Sequence, residues 1–272
     1  MLAERFSPIL AVICVWTASN CSGAIFRQYD LPELVCESPL IASGQIALSN
    51  GVPILSVGEI LKGRTSFTRL NILSTSLGDM PAVSFTNEEN VLLFLDEPRA
   101  DGSTILFGGG DQGKWPRGPN SSGFSPVLSR ASSEEIVCAV RDLVRINEME
   151  GAESKSEKIL EWLTTSDKIK QLLAIQYLSD DLLWPRDQHS GKISASANER
   201  RKTLDHFIGN LSQLAQSDEV SIRRDAIRAL RFAPPDLVMP VIEKAGSDTN
   251  ESVRSAVREV LTSMPEVPAS VP

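Results

Sequence analysis

The run Ile222-Arg223-Arg224-Asp225-Ala226-Ile227-Arg228-Ala229-Leu230 returns 31 residues later as Val253-Arg254-Ser255-Ala256-Val257-Arg258-Glu259-Val260-Leu261. Each copy follows an acidic corner, Ser217-Asp218 and Ser247-Asp248. A period of this length belongs to helix pairs that cannot bury their apolar faces alone and must stack on one another. The second half of the chain is therefore expected to be a helical array. Ala174-Ile175-Gln176-Tyr177-Leu178 reads as a degenerate earlier copy, followed by Trp184 to Asn198, a stretch of loop composition. Helical spacing also predicts helices over Lys155 to Leu163, Ser166 to Leu178, Glu199 to Ala215, Ser221 to Phe232, Pro235 to Lys244 and Ser252 to Met264.

Upstream the pattern differs. Asp30-Leu31-Pro32-Glu33 combines an N-cap, a proline in the first turn and a glutamate that closes a capping box, so a short helix should run to about Glu37. Leu40 to Leu48 then reads as a strand, Asn50-Gly51 as a tight turn and Ile54 to Leu61 as the hairpin partner. Further strands are expected at Phe67 to Leu73, Val91 to Leu95 and Ser103 to Phe107. Short strands with turn signals at close intervals fit a small barrel or sandwich. Helical spacing starts at the capping box Ser132-x-x-Glu135. The fold class is accordingly α+β: a β-barrel domain over residues 30–130, a helical domain over 131–265 and a disordered tail over 266–272, with each half expected to own its core.

The chain has 272 residues, of which 42% are hydrophobic and 23% charged, with a net charge of -8. An acidic chain lacks the clustered basic face that nucleic acid requires. Residues 1–24 run from Arg5 through an apolar stretch, Ile9 to Trp16, to the small residues Ser22-Gly23-Ala24, the order of a cleaved secretory signal. The apolar stretch is too short for a membrane span, which takes roughly 20 residues. A lipid-anchored reading would modify Cys21, but Asn20 stands where a small residue is wanted. The protein is thus expected to be exported, periplasmic or extracellular. Signal removal leaves Cys36 and Cys138. Export favours a disulfide between them, closing a loop of about 100 residues, and two buried thiols are the other reading. Two cysteines with His189 and His206 make no metal framework.

The spacing Ile222-Arg223-x-x-Ala226-x-x-x-Leu230, with its acidic corners, resembles HEAT repeats. That resemblance implies a short superhelix of paired helices used as a protein-binding or scaffolding surface. Residues 30 to 130 are similar to exported bacterial domains of the netrin-like, metalloproteinase-inhibitor-like OB-barrel class. The likeness rests on the early helix, the strand Leu40 to Ile46, Glu59-Ile60-Leu61-Lys62-Gly63, Val91-Leu92-Leu93-Phe94-Leu95 and Gly110-x-Gln112-Gly113-Lys114-Trp115. The chain lacks the paired N-terminal cysteines through which inhibitors of that class reach zinc, so inhibition does not carry over.

Gly108-x-x-x-x-Gly113-Lys114 has the outline of a phosphate loop. The motif needs a Ser or Thr after the lysine and a helix opening there, whereas Trp115-Pro116 follows, so a glycine-rich hairpin or crossover is expected. Gln112, Lys114 and Trp115 form a distinctive cluster, since a Trp beside a cation can make a binding spot. The plainer reading is a barrel-core Trp with a solvated lysine. Arg224, Arg228 and Arg258, with Arg223 and Arg254, could form a ridge for an acidic partner. The arginine after the first apolar position is expected instead to bond an acidic corner, Asp218 or Asp248, of the neighbouring copy. Asp205 is not placed to orient His206, and Glu88-Glu89 and Asp180-Asp181 read as solvated corners. No hydrolase elbow or zinc-protease motif occurs. The sequence thus points to a non-enzymatic exported binding or scaffold protein without cofactor, engaging a protein partner. The alternative is an inhibitor or regulator of an exported hydrolase acting through the barrel edge.

Overall fold

A computed structural model of the chain describes residues 29–73, 83–107, 113–115, 125–179 and 196–263. The expected signal segment, Cys21, Gln112, Asp180-Asp181, most of the Trp184 to Asn198 stretch and the expected tail lie outside the described residues. Helix α1 (Leu31–Glu37) opens as its capping box predicts, with the Glu33 N–H donating to Asp30 Oδ1 at 3.0 Å. Strands follow as β1 (Leu40–Ser49), β2 (Val52–Lys62), β3 (Arg69–Leu73), β4 (Asn90–Leu95), β5 (Ser103–Ile105) and β6 (Lys114–Trp115). Asn50 and Gly51 both take positive φ, 51° and 80°, so the β1–β2 connection is the tight turn that an Asn-Gly pair favours.

The six strands form one mixed sheet in the order β5-β3-β2-β1-β4-β6. β1 pairs antiparallel with both β2 and β4, and β3 runs parallel to β5. The chain just after β5 turns back on β4. Leu106 bridges Leu95, the Asp96 N–H donates to the Ile105 carbonyl at 3.1 Å, and the Phe107 N–H donates to that of Phe94 at 2.9 Å. One segment thus belongs to two ladders, and the sheet curls into a half-barrel.

Strand alternation explains where the curled sheet puts its side chains. Leu40, Ala42, Ile46, Leu55, Leu70, Ile72, Val91, Leu93, Leu95 and Leu106 fill one cluster. The intervening Ile41, Leu92 and Phe94 point to the other side and join a second cluster with the helices. β4 is therefore buried on both faces, which is why Val91 to Leu95 is an unbroken apolar run rather than an alternating one.

Eight helices follow the sheet among the described residues. They are α2 (Pro126–Arg130), α3 (Ser133–Glu148), α4 (Ala152–Thr164), α5 (Lys168–Ser179), α6 (Ser196–Leu214), α7 (Val220–Ala229), α8 (Pro235–Ala245) and α9 (Glu251–Ser263). The change of pattern near residue 132 is thus the change from strand to helix, and Ser132 and Glu135 form the reciprocal cap of α3. Helix α2 was not anticipated; its signal was Ser125 before Pro126, an N-cap with proline at the first position. In the array α4 packs on α5, α6 on α7 and α8 on α9. Across these pairs α5, α7 and α9 form one row and α4, α6 and α8 another.

The expectation of two separate cores is corrected. α1 packs against α3 and α5, and α3 lies on β2 and β4. Leu31, Leu34 and Val35 of α1, with Ile41, Leu92, Phe94 and Trp115 of the sheet, belong to the same apolar cluster as the helical array. Only the hollow of the curled sheet has a cluster of its own. No helix among the described residues is long and apolar enough to cross a membrane.

Candidate functional site

The cluster around the glycine-rich segment is built from β4, β6 and the chain leading into β4. A Cβ on Gly113 would sit 2.8 Å from the carbonyl oxygens of both Phe94 and Phe107, so only glycine lets β6 reach this position. Lys114 and Trp115 then pair with Leu93 and Leu92. Trp115 is buried at 7% exposure, but in the cluster shared with the helices rather than in the barrel core of the plainer reading. Lys114 is not the solvated charge of that reading. Its side chain is 7% exposed, its Nζ lies 2.8 Å from Glu89 Oε1 and donates to the Ser84 carbonyl at 2.8 Å, and it stands 4.8 Å from the centre of the Phe85 ring. Glu89 in turn accepts from the Thr86 N–H at 3.1 Å. The ammonium is thus spent inside the fold, and Glu89 is a structural partner rather than a solvated corner. Sequence reading missed this pair because its members meet only through the pairing of β6 with β4, which no repeat or spacing marks.

At the open end of the sheet an apolar cavity of about 220 Å³ is lined by Leu48, Pro53, Ile72, Leu73, Val83 and Phe85, among others.

In the array, one contact repeats with the sequence. Arg223 Nη1 donates to the carbonyls of Ser217 at 2.8 Å and Asp218 at 3.2 Å. Arg254 Nη1 donates to those of Asp248 at 2.7 Å and Thr249 at 3.0 Å. Gln171 Nε2 donates to the Thr165 carbonyl at 2.6 Å, again six residues back. These three side chains therefore hold equivalent places, which puts Ala174 to Leu178 in register with Ala226 to Leu230. Arg223 also reaches forward, with Nε and Nη2 on the Asp248 carboxylate at 2.9 and 3.3 Å. That is the expected bond from one copy to the acidic corner of the next, and both side chains are only 15% exposed. The Asn250 N–H and the Arg223 fork hold the Asp248 carboxyl below the usual range.

The other arginines do not make an unpaired ridge. Arg224 forks onto Asp225 at 2.6 and 3.0 Å, Arg228 bonds Glu259 at 2.9 Å, and Arg258 pairs with Glu251. Glu251 is held below the ordinary carboxylate range by Arg258 and Arg254. Asp225 is buried where the next copy has buried Ala256; its neighbour Arg224 was the signal that this acid is internally paired.

The copies differ in one informative place. Ile175 and Ile227 are fully buried, while Arg258 occupies the corresponding position in α9 and is exposed. Leu178 and Leu230 are likewise buried, and Leu261 is 46% exposed. The last described pair thus carries a charge where the inner pairs carry an isoleucine.

The expected disulfide is not formed: Cys36 and Cys138 are free and exposed. Cys138 Sγ lies 3.7 Å from Arg141 Nη1, and Arg141 forks onto Glu59. Cys36 lies in the last turn of α1, where Lys62 Nζ donates to its carbonyl at 2.7 Å and to that of Val35 at 2.8 Å. Among the described residues no group of three His, Cys, Asp or Glu side chains is placed to hold a metal ion. The chain matches no family model, no curated protein and no solved structure.

Proposed function

We propose that the chain is an exported, non-enzymatic binding or scaffold protein whose helical pairs form a short HEAT-like platform for a protein partner. The observation that carries this reading is the bond from Arg223 to Asp248, which ties one copy to the acidic corner of the next. That bond, together with the carbonyl contact that Gln171, Arg223 and Arg254 make at equivalent places, supports a stacked array, and stacked arrays offer extended surfaces for partners. The curled sheet supports the companion reading of an OB-type barrel, in which β1 pairs with β2 and β4 and β3 runs beside β5. In this account the sheet braces the array, since α1 and the outer face of β4 share its core.

The test is affinity capture from the native periplasm with the intact chain, alongside a broad hydrolase panel on the purified protein. One stoichiometric protein partner without turnover supports the proposal. Catalytic turnover, or failure to retain any protein, removes it.

A further inference from the structure

We draw no further inference here: the strongest candidate, the apolar cavity at the open end of the curled sheet, carries nothing because two of its walls, Leu73 and Val83, flank a segment outside the described residues and nothing in the structure shows what covers it.

Discussion

Replacing Lys114 by alanine tests the reading of the glycine-rich cluster. The change removes the partner of a carboxylate that is 17% exposed, one carbonyl bond to Ser84 and a cation over Phe85. Stranding one member of a buried pair costs about 3–5 kcal/mol. Glu89 keeps its bond from Thr86, which places the expected loss near the lower end, about 3 kcal/mol. For a chain of this size that is a fall in Tm of about 6–12 °C. Replacing both members, Lys114→Met with Glu89→Leu, should recover most of the loss, because neither charge is then left unpaired. Circular dichroism of the whole chain under heat and urea reads both effects. A Lys114→Ala protein within about 0.5 kcal/mol of the parent would refute the reasoning, because only a solvated lysine is so cheaply removed.

Arg223→Ala should cost about 1–2 kcal/mol by releasing Asp248 and two corner carbonyls, and urea unfolding measures it. Ile227→Ala, at a fully buried position, should cost about 2–5 kcal/mol, whereas Arg258→Ile should leave stability nearly unchanged and promote self-association, read by light scattering. The carboxyls of Asp248, Glu251 and Glu219 are all held below their ordinary values, so the stability they contribute is present above pH about 4–5 and is lost as pH falls through their folded values. Asp248→Asn should flatten that acid limb in pH-dependent unfolding. Alkylation of the purified protein without reductant should label both Cys36 and Cys138, and a linked peptide pair would contradict the two free thiols.

The elements were legible wherever local chemistry sets them. Capping boxes at Asp30 and Ser132, the Asn50-Gly51 turn and the helical copies are all short-range signals, and each stands in the structure. Partnership across the chain was legible where the repeat sets it, as for Arg223 and Asp248, and not elsewhere. Lys114 and Glu89 meet because β6 lies beside β4, and no spacing rule joins them. The shared core was missed for a related reason. Leu31, Leu34 and Val35 mark α1 as amphipathic but do not say which apolar surface covers it. The run Val91 to Leu95 did hold the clue, since a strand without alternation needs cover on both faces. The cysteine pairing rested on compartment and elimination, and those arguments contain no distance.

The platform reading is tested most directly by site-specific photo-cross-linking in cells that produce the intact chain. One probe replaces the exposed Ser255 on α9 and a second replaces the exposed Ser66 between β2 and β3. The account predicts a discrete protein adduct from position 255 and none from position 66. An adduct from position 66 alone would place the partner on the barrel and contradict it.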